Sequence, residues 1–213
     1  MLLVGDVHGL FWNYMKLIEM SHSKKSLQLG DFGLGFPNGM NHVDMNHIEG
    51  THLFLRGNHD NPEVCRKSSN YIGDYGILDG SFIDGAFDKL FYISGAWSID
   101  RITRIPNYNW WENEELSYKQ LCDMVNFYFK EKPDIVCSHD CPTTILKHLY
   151  DDGCFPTRTG QAFDAMLNHH VPSYWFFGHH HKTWKKEIGG CLYTCLNELE
   201  TLDISKRIIQ IGE

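Results

Sequence analysis

The chain has 213 residues, 42% of them hydrophobic and 14% aromatic, enough to bury roughly 70% of its unfolded surface and unlike a disordered or disulfide-stapled chain. A formal net charge of −8 excludes an overall positive field for gripping long stretches of nucleic acid. Seven cysteines without a C-x-x-C pair argue for reduced, mostly buried thiols, and thirteen histidines are the compositional outlier that puts chemistry at a metal first.

In chain order, "MLLVGD" reads as a buried strand, and Leu10 to Met20 as a helix carrying Leu10, Tyr14, Leu17 and Ile18 on its apolar face. "SLQLGD" is a second strand. The segment from Gly33 to Gly50, rich in Gly, Asn and His, is a long loop of the kind that is either functional or mobile. "THLFLRGNHD" supplies a third strand, and Gly76 to Ile99 alternates short apolar segments with "DG" turns, as hairpins do. Glu112 to Pro133 is helical, with a capping box from Ser117 and Gln120 and an apolar stripe of Leu121, Met124, Val125 and Tyr128. "PDIVCSHD" and "SYWFFGHHH" are two more strands around a helix over Gly160 to Asn168, and Trp184 to Ile211 reads as strands separated by "GG" and "SK" turns. Strands alternating with helices, with antiparallel additions, make an α/β fold, and the lack of any linker-like stretch points to one domain over residues 1–213. The opening "MLLVGDVHG" leaves no room for a leader and no apolar run reaches the ~18 residues of a membrane span, so a soluble cytoplasmic protein with no membrane partner is expected.

The chemistry gathers at the strands' polar tips: Asp6 and His8, Asp31, Asn58 with His59 and Asp60, His139 with Asp140, and His179 to His181. In an open α/β sheet, ligands bind beyond the carboxyl ends of the strands, so these tips converge. Carboxylates, imidazoles and an amide oxygen suit Mn, Fe, Zn, Ni or Co better than Ca. Seven of them as ligands would exceed the needs of one ion, and two divalent ions sharing a carboxylate would use all seven. Alternation along an extended segment points His180 away from its neighbours.

With "GDVHG" at Gly5 to Gly9, "GD" at Gly30 and Asp31, "GNHD" at Gly57 to Asp60, His139 after a strand, and "GHHH" at Gly178 to His181, in that order, the sequence resembles the calcineurin-like metallophosphoesterases over nearly its whole length. The resemblance implies two mixed β-sheets packed as a sandwich and flanked by helices, a four-layer αββα arrangement. It implies further that Asp6, His8 and His181 bind one ion, that Asn58, His139 and His179 bind the other, and that Asp31 bridges. His59 would donate a proton to the leaving group or stabilise charge on the phosphoryl oxygens, with Asp60 as its orienting partner, although Asp60 reads equally well as an acceptor of main-chain amides in a turn. The reaction implied is in-line hydrolysis of a phosphomonoester or phosphodiester by a hydroxide shared between the ions, manganese being the leading metal.

Arg101 and Arg104 are the substrate-binding candidates, because a loop arginine can grip phosphate in bidentate geometry. Arg56, just before "GNHD", reads equally well as a structural ion pair or a substrate contact. The block "GDFGLGFPNG" lacks the Arg of the G-D-x-x-x-R-G pattern in related protein phosphatases and dinucleoside tetraphosphatases, which weakens both substrate classes and resembles compact bacterial and phage-type members. The expected partner is a phosphorylated small molecule or nucleotide. A nuclease using the Arg pair and "KTWKK" is the alternative, and a non-catalytic scaffold a weaker one.

Overall fold

The computed structural model describes residues 1–37, 39–83, 87–150 and 155–205. Its elements run β1 (Leu2–Val4), α1 (Phe11–Ser21), β2 (Lys25–Gln28), β3 (Thr51–Phe54), α2 (Pro62–Cys65), β4 (Tyr75–Asp79), β5 (Lys89–Ile93), a 3-10 turn (Arg101–Thr103), α3 (Tyr118–Glu131), β6 (Ile135–Ser138), α4 (Thr143–Leu149), α5 (Arg158–Leu167), β7 (Tyr174–Phe177), β8 (Trp184–Ile188), β9 (Cys191–Cys195) and β10 (Thr201–Asp203). Two mixed sheets result, one ordered β10-β1-β2-β3 and the other β4-β5-β6-β7-β9-β8.

Period-two alternation along the strands explains the layering. Leu3, Leu27, Leu90, Ile135, Cys137 and Phe176 point into the layer between the sheets. Their neighbours point outward: Leu2 and Val4 pack with Phe11, Tyr14 and Ile18 of α1, while Val136, Trp175 and Phe177 pack with Leu121, Met124 and Tyr128 of α3 and Phe163 of α5. Burying each large apolar side chain contributes roughly 1.5–3 kcal/mol, so both faces of each sheet are committed. The expected sandwich with flanking helices is what the chain forms.

Local features follow from capping, turns and strand pairing. The capping box of α3 is present, Ser117 and Gln120 each satisfying the other's main-chain amide. The "GG" turn joins β8 to β9 in an antiparallel pair, and β4 pairs β5 likewise. β10 does not extend that hairpin; it crosses to pair antiparallel with β1. Of the expected turn at Ser205 and Lys206, Lys206 and the strand beyond it lie outside the described residues. The helix after β1 begins at Phe11 rather than Leu10, so Phe11 takes the buried position and Leu10 stays 43% exposed. Among the described residues, no helix is long and apolar enough to cross a membrane.

Candidate metal centre

Asp6 and His8 follow β1, Asp31 follows β2, Asn58 follows β3, His139 follows β6, and His179 and His181 follow β7. Both sheets therefore aim their carboxyl ends at one place, and main-chain bonds knit the tips together. The Val7 and His8 amides donate to the Asp31 carbonyl at 3.0 and 2.8 Å, and Gly178 N donates to the His139 carbonyl at 3.1 Å. His8, Asp31, His179 and His181 all have left-handed backbone, with φ of 49°, 51°, 65° and 49°. Each such residue costs on the order of 1 kcal/mol, and clustering of that strain is a feature of functional sites.

The donor atoms form two compact groups. Those of Asp6, His8, Asp31 and His181 lie within 4.8 Å of one another, as do those of Asp31, His139 and His179, and Asp31 belongs to both groups. His181 Nε2 is 3.1 Å from Asp6 Oδ2, and His8 Nε2 is 3.6 Å from Asp6 Oδ2 and 3.9 Å from Asp31 Oδ2. His139 Nε2 sits 3.2 Å from Asp31 Oδ1 and 3.3 Å from Asn58 Oδ1. The other nitrogen of that ring, Nδ1, donates to the Leu29 carbonyl at 2.8 Å, which leaves Nε2 as the atom presented to the centre. An outer carbonyl fixing the tautomer in this way is a regular companion of metal-ligating histidine, and the mixed oxygen and nitrogen set suits a first-row divalent ion. The residues present fit divalent cations.

Electrostatics agree. Burial would raise the Asp6 carboxyl, but the bonds from His181 and His8 outweigh it and hold it at about 2. Burial would lower the His139 imidazole, but the Asp31 charge beside it pushes it up to about 10. Burial drives His179 down to about 3. Fully buried carboxylates thus stay charged where positive charge is available, which is the field a cation would meet.

His59 lies beside this group. Its amide donates to Asp31 Oδ1 at 2.7 Å, its ring stacks on Phe36 with centroids 4.8 Å apart, and its edge meets His8 at 4.9 Å. Arg104 Nη2 approaches His59 Nε2 to 2.5 Å, while Arg104 Nε pairs with Asp100 at 2.7 Å. Burial, with the Arg104 charge adding to it against the pull of Asp31, lowers the His59 pKa below the usual value.

Asp60 takes the main-chain one of its two readings. The Asp60 carboxylate accepts main-chain amides from Phe32, Gly33, Leu34 and Gly57 at 2.7–3.0 Å. It staples the loop after β2 to the loop after β3 and so holds Asp31 and Asn58 in register. The two arginines also part company. Arg104 reaches His59, whereas the exposed Arg101 lays its guanidinium over the Trp97 ring at 5.2 Å. Arg56 is 1% exposed and spends its guanidinium on Asp74 (3.1 Å) and the Glu114 carbonyl (2.6 Å), the structural alternative of the two readings. In "KTWKK", Lys182 is tied to the Leu149 carbonyl and the Tyr150 ring, leaving a thinner basic track than the sequence suggests.

His180 turns away from its neighbours as expected, and meets Asp140 at 3.2 Å, Cys141 Sγ at 3.5 Å and the Tyr150 hydroxyl at 3.3 Å. Two residues that sequence reasoning missed orient Asn58. Its Nδ2 donates to Ser98 Oγ at 3.2 Å, and Ser98 donates its one hydroxyl hydrogen to Glu114 at 2.6 Å. Because that hydrogen is spent, Ser98 can only accept from Asn58, and the amide oxygen is left facing His139.

The family model described as "Calcineurin-like phosphoesterase" matches residues 1–183, so the chain belongs to that family and is a metal-dependent phosphoric ester hydrolase. No curated protein matches it by sequence. Among solved structures it is similar to the phosphopantetheinyl hydrolase of Mycobacterium tuberculosis, at 9% identity and a TM-score of 0.50 over 92% of this chain and 89% of that one. A Staphylococcus aureus protein assigned as a 5′-nucleotidase aligns at 13% identity, TM-score 0.49, over 92% of this chain and 48% of its own, so the chain spans about half of that protein. An archaeal phosphodiesterase aligns at 11% identity, TM-score 0.38, over 93% and 84%. At such identities the Mycobacterium protein speaks to the fold alone.

Proposed function

We propose that residues 1–213 act as a dinuclear phosphoesterase domain: one divalent cation held by Asp6, His8 and His181, the other by Asn58, His139 and His179, with Asp31 shared, hydrolysing a phosphomonoester or phosphodiester. The observation that carries this reading is the membership of Asp31 in both compact donor groups. The proposed metal is a first-row divalent ion, manganese first among them, since the donors are carboxylate, imidazole and amide oxygen without thiolate. When bound, such ions polarise phosphoryl oxygens and bring the pKa of water near neutrality, which provides the nucleophile for in-line attack.

The remaining steps fall to the chain's own side chains. Arg104 offers a substrate phosphoryl group a charge-assisted contact stronger than the one it makes to a neutral ring nitrogen. Transfer of that guanidinium to phosphate frees the His59 Nε2 lone pair to take a proton from solvent water, and the imidazolium then passes it to the departing oxygen. Asp60, by pinning the loops that carry Asp31 and His59, keeps both within reach without touching the reaction. Metal-stripped protein reloaded with Mn, Ni, Mg or Zn and offered paired chromogenic monoester and diester substrates tests this. Hydrolysis that appears only with metal supports it, and fully metallated protein inert toward every phosphate ester offered would end it.

A further inference from the structure

A cavity of about 240 Å³ opens beside His8 and His59, between the loop after β1 and the loop after β2. Its other described lining residues are Gly9, Leu10, Gly33, Phe36, Pro37 and Gly39, so its side chains apart from the two imidazoles are apolar. Most main-chain donors there are already spent: Gly9 N on the Phe32 carbonyl, Leu10 N on Val7, Gly39 N on Phe36, and Gly33 N on the Asp60 carboxylate, while Arg104, 5.9 Å over the Phe36 ring, is engaged by His59 and Asp100. Pro37 has no donor. A phosphate or carboxylate entering this space would leave water and find few hydrogen bonds to replace it. An apolar group would instead cover the Leu10 side chain, which α1 leaves exposed.

Resting on the phosphoesterase reading above, we propose that this cavity receives the alcohol portion of the ester, and that this portion is uncharged and apolar, about one ring in size. The position fits the chemistry, because the cavity adjoins His59, the group that hands a proton to the departing oxygen. The volume falls below the roughly 300–1,000 Å³ of sites for drug-sized ligands, which limits the group to a ring or short alkyl chain. A second phosphate, as in a nucleoside polyphosphate, is the substrate class this surface disfavours.

The test uses metal-loaded full-length protein with benzyl, ethyl and 2-carboxyethyl phosphates, whose alcohols are similar enough in acidity for differences in bond-breaking to be small. The expected kcat/KM for benzyl phosphate exceeds that for ethyl phosphate by about tenfold or more, and the carboxylate-bearing ester falls below both. Leu10→Asn should pull the benzyl-to-ethyl ratio toward one. Calorimetric binding of benzylphosphonate against ethylphosphonate reads the same preference without turnover. Equal kcat/KM for benzyl and ethyl esters, or a ratio that Leu10→Asn leaves untouched, overturns the subsite while the hydrolase reading stands. Absence of all hydrolysis removes the hydrolase reading, and the phosphonate pair then still decides whether the cavity prefers an apolar group.

Discussion

Arg104 Nη2 lies 2.5 Å from His59 Nε2, and a guanidinium can only donate, so that ring nitrogen carries a lone pair and the hydrogen of neutral His59 sits on Nδ1. Arg104 thereby holds the imidazole in one tautomer until something else takes the guanidinium. Arg104→Gln is expected to lower kcat/KM by about 10- to 100-fold with metal content unchanged. Removing a neighbouring positive charge also moves the His59 titration upward, observable by NMR. An unmoved titration together with unchanged kcat/KM would show that the contact has no functional weight.

Asp60→Asn separates holding the loops from acting on His59. An amide offers one acceptor oxygen where the carboxylate serves four main-chain amides, and its NH2 group would face a donor. The expected loss is about 3 kcal/mol or more, read by urea denaturation at fixed metal concentration. A loss under about 1 kcal/mol would mean that the loops are held by other contacts.

Gly57 tests how tightly the centre is built. A Cβ at that position would collide with Asp31 Oδ1 and His139 Nε2, although the backbone there needs no left-handed conformation. Gly57→Ala should therefore weaken manganese binding by about tenfold or more in calorimetry, through displaced donors rather than backbone strain. Wild-type affinity in this variant would argue that the donor groups have room to move.

His52 gives a pH dependence remote from the metal donors. It is 3% exposed in β3, with Nδ1 3.0 Å from Ser26 Oγ and Nε2 3.3 Å from the Glu49 carbonyl. Burial lowers its pKa below 6.5 in the folded chain, against the raising effect of the Glu49 bond. The folded state thus prefers neutral His52: its contribution is complete above the unfolded pKa and is lost as pH falls through the folded one. His52→Gln should flatten the decline of Tm between roughly pH 7 and 5. An identical slope in variant and wild type would remove His52 from the acid response.

The strands and their tips are legible in the sequence because short Leu, Val and Phe runs break at Gly and then at polar residues, and each break reappears as the end of a strand. Asp31 is legible for the same reason. Arg101 and Arg104 look alike in sequence, but a 3-10 turn over Arg101–Thr103 sends one guanidinium to Trp97 and the other to His59. Ser98 and Glu114 gave no signal, since they lie 40 and 56 residues from Asn58 and meet it only through long-range hydrogen bonds. The role of Asp60 turned on whether its carboxylate faces a ring or the main chain, which spacing alone leaves open. Leu10 fell to a one-residue shift in where α1 begins.

Whether Asp31 is shared by two cations is read by anomalous diffraction from crystals of metal-stripped protein soaked in manganese. One peak is expected on each side of the Asp31 carboxylate in the wild type, with the loss of at least one of them in Asp31→Asn. A single peak away from Asp31, or an undiminished pair in the variant, would contradict that sharing.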